Sequence, residues 1–175
     1  MRATEFISEV FSHNSGLPLE WEKSMRQHTA VARLPDNHSV LEVHFWTLPK
    51  DAVEIDFMLN GTYDLTKKGN QFLIFATVLN AIREYDDKYA PLYLIFSAKE
   101  ANRKSLYSRM ISKYASELGY TVGSVNDLPE AITNEVSVNP SDFVLIHKDV
   151  LVHEDMTSRG FLGGLESSVG KIFIM

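Results

Sequence analysis

The stretch Thr66-Lys67-Lys68-Gly69-Asn70, the run Gln71 to Asp87, and the segment Leu92-Tyr93-Leu94-Ile95-Phe96-Ser97 together decide how this chain folds. In the middle run Phe72, Phe75, Val78, Leu79 and Ile82 recur at helical spacing, with Arg83, Glu84 and Asp87 assigned to the outer face. Asn70 stands where an N-cap belongs, its side-chain oxygen available to the first free N–H groups of that helix. Pro91 then introduces a strand with almost no polar interruption, which predicts a central position buried on both faces. Upstream, Val53, Ile55, Phe57 and Leu59 alternate with Glu54, Asp56 and Met58, the pattern of a half-buried strand. Strand, Gly-containing loop, helix and strand in that order predict an α/β fold: a mixed, mostly antiparallel sheet flanked by helices. The entrance to the helix is the natural place to seek chemistry, because its free N–H groups can hold a phosphate.

Working outward from this centre, Glu100 to Leu118 reads as a second long helix. Leu106, Met110, Tyr114 and Leu118 share a face, Arg103, Lys104, Lys113 and Glu117 lie largely outside, and Gly119 is placed to end it. Val125 to Pro140 reads as a polar loop with one helical turn, and Phe143 to His147 as a late strand. Towards the N-terminus, Thr4 can cap a short helix from Glu5 to Ser12, followed by strands at Thr29–Leu34 and Val40–Thr47. Pro49-Lys50-Asp51 turns the chain, and Asn60-Gly61 is its best hairpin signal. Residues 1–156 are expected to form one domain. The Gly-rich tail, residues 157–175, is expected to be an arm that orders against something else.

Composition sets outer limits. With 175 residues the chain is long enough for one well-buried core, and its net charge of −6 argues against a general nucleic-acid binder. The absence of cysteine removes disulfides, thiolate metal sites and thiol nucleophiles. No run approaches the roughly 18 apolar residues of a membrane span, and the first residues lack a signal-peptide apolar core, so a cytosolic location is expected.

Three sets of side chains are candidates for chemistry. Lys67, Lys68 and Gly69 at the helix entrance, with Asn70 and Gln71, fit anion binding and fit a solvated turn as well. Glu54 and Asp56 fit a catalytic carboxylate or an exposed strand face, and Tyr107 fits a proton donor or a packed hydroxyl. Of the six histidines no pair has the helical spacing of a metal motif, while His147, His153 and Asp155 fall in one strand–loop region. No Gly-x-Ser-x-Gly elbow exists, and no metal site is expected.

The strand, Gly-containing loop, helix, strand and helix ending in Leu118-Gly119-Tyr120 resemble the central half of the GNAT acyl-CoA N-acetyltransferase fold. The resemblance implies that Lys67 to Phe72 correspond to the pyrophosphate loop of acetyl-CoA, with cofactor-binding residues Lys67, Lys68, Gly69, Asn70 and Gln71. It further implies Glu54 as general base and Tyr107 as general acid. The loop carries one glycine where the family has two small positions, and Tyr107 precedes Gly119 by twelve residues, farther than in the family. The run Phe96-Ser97-Ala98-Lys99-Glu100, then Arg103, Leu106-Tyr107 and Arg109, is also similar to small proteins of tailed bacteriophages, over roughly residues 53 to 121. This second resemblance implies a phage protein in the host cytoplasm or the virion.

Two functions follow from these resemblances, beside a third, a host or phage regulatory module that binds a small anion at the loop. The departures in the loop and in the tyrosine favour a non-catalytic phage protein, a virion component or a binder of a host factor that makes its protein contacts or self-assembles through residues 157–175. The alternative is an acetyl-CoA-dependent N-acetyltransferase. Ligand binding in either case needs the amides around Gly69 to face a crevice between two splayed strands, Val53–Leu59 and Leu92–Ser97.

Overall fold

A computed structural model describes residues 16–36, 38–62, 71–96, 111, 115–136 and 142–150. It contains the strands β1 (Glu20–Lys23), β2 (Gln27–Arg33), β3 (Val40–Leu48) and β4 (Ala52–Leu59), the long helix α1 (Gln71–Tyr89), and β5 (Tyr93–Phe96). After these come β6 (Tyr120–Gly123), a short helix α2 (Glu130–Thr133) and β7 (Phe143–His147). The strands form one seven-stranded sheet in the order β1-β2-β3-β4-β5-β7-β6. Its single parallel junction is β4 with β5, joined through α1, and the other five pairings are antiparallel. The fold is therefore α/β with a mixed, mostly antiparallel sheet, as the sequence predicts.

Two tight turns set the register at the centre. Lys50 and Asp51 both lie in the left-handed region, with φ of 61° and 52°, and join β3 to β4 so that His44 stands opposite Asp56. Asp51 also accepts, through its backbone carbonyl, a hydrogen bond from the Leu92 amide at 2.8 Å, which sets where β5 begins beside β4. At the far end of β4, Asn60 and Gly61 (φ 52° and 69°) reverse the chain in the twist that suits a hairpin. The Asn60 side chain accepts from the Val40 amide at 2.8 Å, tying this turn back to β3. Beyond this turn the described residues reach the bridge Leu59↔Thr62.

Successive side chains on a strand point to opposite faces, so the sheet has two distinct sides. On one side Val43, Phe45, Val53, Ile55, Leu94 and Leu145 pack with Ile74, Val78, Ile82 and Tyr85 of α1 and with Ile111 and Ala115. On the other side a smaller cluster, Ala52, Tyr93, Ile95, Val144 and Ile146, is covered by Leu128 and Ile132. That cluster sits under β5 and β7. The same side over β3 and β4 carries Glu42, His44, Trp46, Glu54 and Asp56 instead.

Several expectations change. Arg83, expected on the outer face of α1, is buried and pairs with Glu117 at 3.2 Å, because the segment at 115–118 packs against it. Phe72, expected to face inward, is 50% exposed in the first turn of α1. The expected helix from Glu100 to Leu118 is described as helix at 111 and 115–118, and Gly119 follows at φ 82°, the left-handed conformation a helix terminator adopts. β1 and β6 are strands that periodicity did not predict. The expected helix at Glu5–Ser12 and the arm at 157–175 lie outside the described residues.

Candidate functional site

β3 and β4 bring together three carboxylates, one imidazole and one indole on the side of the sheet away from α1. The pairing sets His44 opposite Asp56, Trp46 opposite Glu54, and Glu42 opposite Met58. His44 Nδ1 lies 2.8 Å from Asp56 Oδ1, and its Nε2 lies 3.5 Å from Glu42 Oε2. Trp46 meets the imidazole edge-on, with ring centroids 6.2 Å apart. Only 7% of His44 remains exposed.

Electrostatics follow from this geometry. The hydrogen bond that the His44 imidazolium donates to Asp56 raises its pKa most; burial opposes it, and the charges of Asp56 and Glu42 add to the rise. A bonded carboxylate favours the charged imidazole more than partial burial disfavours it. With His44 protonated, Glu42, Glu54 and Asp56 leave this face net negative, an arrangement that favours an approaching cation.

Glu54, the carboxylate singled out as a general base, lies on β4 one residue pair from this cluster. It is half-buried, opposite Trp46 on β3 and Ile95 on β5, and it is already engaged with neighbouring groups. Gln71 is the first residue of α1, whose first turn has no acidic side chain, so nothing there repels an anion from the free N–H groups. Lys67, Lys68, Gly69, Asn70 and Tyr107 lie outside the described residues, as do His153 and Asp155.

The expected crevice is absent over the stretch where both strands are described. Residues Ala52–Ile55 of β4 pair continuously with Tyr93–Phe96 of β5, because the Asp51 carbonyl fixes the start of β5. β4 runs on through Asp56 to Leu59, past the last pair with β5. Any opening between them therefore starts beyond Ile55 and Phe96.

Sequence reasoning missed the His44–Asp56 pair. Its signal was present: Glu42, His44 and Trp46 share one parity on β3, and the turn at Lys50-Asp51 sets the facing residues on β4. Tyr120 shows the opposite outcome. Its hydroxyl donates to Asp86 Oδ1 at 2.6 Å with the Pro91 carbonyl also in reach, and burial pushes its pKa up. That hydroxyl is a structural tie between β6, α1 and Pro91 ahead of β5.

No family model matches the chain, and no curated protein matches it. Among solved structures it is similar to one acetyltransferase of the GNAT family. That protein comes from Staphylococcus aureus Mu50; the likeness has a TM-score of 0.45 at 10% identity, over 67% of this chain and 66% of that one. The match thus spans just under two thirds of the neighbour's length. Among the described residues no helix is long and apolar enough to cross a membrane, and no group of three or more His, Asp or Glu is arranged to hold a metal ion.

Proposed function

We propose that the chain is an acyl-CoA-dependent N-acyltransferase acting on a cationic amine. The observation that carries this reading is the arrangement around β4. Its carboxyl end leads, through the turn at Asn60-Gly61, towards the acid-free first turn of α1, while its other side presents Glu54 beside the His44–Asp56 pair. A parallel β–α–β unit favours ligands beyond the carboxyl ends of its strands, where the helix N-terminus offers unpaired amides to a phosphate.

In this reading the amides around Lys67, Lys68, Gly69, Asn70 and Gln71 hold the pyrophosphate of acetyl-CoA. The negative face over β3 and β4 draws in the ammonium form of the acceptor. Glu54 removes one proton, the amine nitrogen attacks the thioester carbonyl, and the C–S bond breaks as the nitrogen releases its second proton to solvent and the neutral amide forms. Tyr107 supplies the proton to the departing thiolate. His44, held by Asp56 and Glu42, positions the face and tempers its negative charge.

Calorimetry with acetyl-CoA tests this. Micromolar binding that is lost in Gly69→Pro supports it, and Glu54→Gln is expected to keep that binding while losing transfer by about a hundredfold or more. Absence of acetyl-CoA binding to the intact chain overturns it.

A second reading, a non-catalytic phage protein acting as a virion component or a binder of a host factor, draws on a different observation. The edge strand β1 is exposed along its whole length, and Trp21 on it and Met25 beside it are solvent-facing apolar side chains. Sedimentation of the chain with and without residues 157–175 tests the assembly it requires; an unchanged state in the presence of partners counts against it.

A further inference from the structure

At the last turn of α1, on the side of the sheet opposite His44, a cavity of about 370 Å³ is lined by Trp21, Glu84, Tyr85, Asp87, Lys88 and Tyr89. We propose that this cavity is a binding site for an organic cation, a quaternary or methylated ammonium group held against aromatic faces. It lies at the other end of α1 from the first turn invoked above, so it stands or falls independently of the acyltransferase reading.

The walls are built rather than incidental. Tyr85 is stacked on Phe45 with planes 2° apart and centroids 4.3 Å apart, which fixes the floor. Trp21 donates its indole N–H to Glu84 Oε2 at 2.9 Å, and Asn80 donates to Glu84 Oε1 at 3.1 Å. One indole plane and one carboxylate are thereby locked together at the rim. Tyr85 and Tyr89 lie 4.6 Å apart at 41°, so their faces converge without stacking flat.

These faces already attract cations. The ammonium groups of Lys23 and Lys88 lie 5.6 Å and 5.3 Å from the Tyr89 ring centroid. That is the range in which a ring quadrupole holds a positive charge. Two carboxylates, Glu84 and Asp87, line the cavity with Lys88, and the Lys23 ammonium stands beside it at Tyr89, so the aromatic faces rather than net charge select the ligand.

Behind the rings lies His28, 8% exposed, its centroid 4.8 Å from that of Tyr89 and 5.5 Å from that of Tyr85. Its Nδ1 is buried without a hydrogen-bond partner. Burial, with Lys23 and Lys88 nearby, favours its neutral form. A methylated ammonium suits the site better than a primary one. Both Glu84 oxygens already accept, from Trp21 and Asn80, which leaves few acceptors for three N–H groups, whereas a methylated cation carries little hydration to lose.

The probe is choline, compared with the neutral alcohol in which a tert-butyl group replaces the trimethylammonium. The chain has two tryptophans, so Trp46→Phe leaves Trp21 as the single reporter of indole fluorescence. Choline is expected to produce a saturable change, and the neutral analogue to bind about tenfold more weakly. Tyr89→Phe keeps the ring and is expected to keep the affinity; Tyr89→Leu removes the ring and is expected to lower it about tenfold with an unchanged melting midpoint. No saturable change with choline, equal affinity for the neutral analogue, or full affinity in Tyr89→Leu would overturn the proposal.

Discussion

His28 and His44 are both buried, lie on adjacent strands of one sheet, and face opposite ways into opposite kinds of surroundings. His28 points to the α1 side, among Tyr85 and Tyr89, with an unpartnered Nδ1 and two lysines near it. His44 points to the other side, clamped by Asp56 and Glu42. Burial and like charge disfavour the charged form of the first, and two carboxylates outweigh burial and favour the charged form of the second. The strand backbone does nothing to distinguish them. Parity along the strand and cross-strand partners distinguish them, so over β2 and β3 one side of the sheet is held by packing and the other by charge.

That contrast can be broken by substitution. The largest effect is expected from the packed side: Tyr85→Ala removes a ring that is buried and stacked on Phe45, at a cost of about 3–5 kcal/mol in urea unfolding. This loss should be nearly independent of salt. On the charged side Asp56→Ala strands His44 without its main partner, at a cost of about 1–3 kcal/mol, reduced by the partial exposure of Asp56. That cost should shrink as salt is raised. A larger effect from Asp56→Ala than from Tyr85→Ala would reverse the assignment of the two sides.

The two histidines should also give stability opposite pH slopes. The folded pKa of His44 lies above its ordinary value of 6.5, so its contribution is complete below that value and fades as pH rises through the folded pKa. The folded pKa of His28 lies below 6.5, so its contribution is present above that value and is lost as pH falls through the folded pKa. Melting curves from roughly pH 5 to 8 for His44→Gln and His28→Gln, each against the parent chain, separate the two slopes. The smallest effect is expected at Met25, which is fully exposed beyond β1: Met25→Lys should change stability by no more than about 0.5 kcal/mol. It serves as the baseline for the other four substitutions.

Much of the fold was legible because it is written within single segments. α1 declares itself through Phe75, Val78, Leu79 and Ile82, and the strand at Tyr93–Phe96 through its unbroken apolar run after Pro91. Phe143–His147 was legible for the same reason. β1 was hidden because Glu20-Trp21-Glu22-Lys23 has no buried face to impose an alternation. β6 was hidden because four residues after a helix-ending glycine are too short to show a period. Arg83 misled because helical spacing marks the side facing the sheet and says nothing of a second segment packing on the flank, where Glu117 meets it.

The candidate site was legible only in part. Periodicity placed Glu54 and Asp56 on one side of their strand, and β4 carries them there. The partner of Asp56 could not be read from that strand alone, because His44 reaches it only through the register that the Lys50-Asp51 turn imposes. A cross-strand constellation needs the turn geometry first and the residue types second.

The most direct test is a histidine titration by NMR on the intact chain and on Asp56→Asn. The account expects one buried histidine to titrate above 6.5 and to fall when Asp56 is neutralised, and the other to titrate below 6.5 and stay where it is. Two buried histidines titrating together near their ordinary value, or a His44 resonance indifferent to Asp56→Asn, would contradict it.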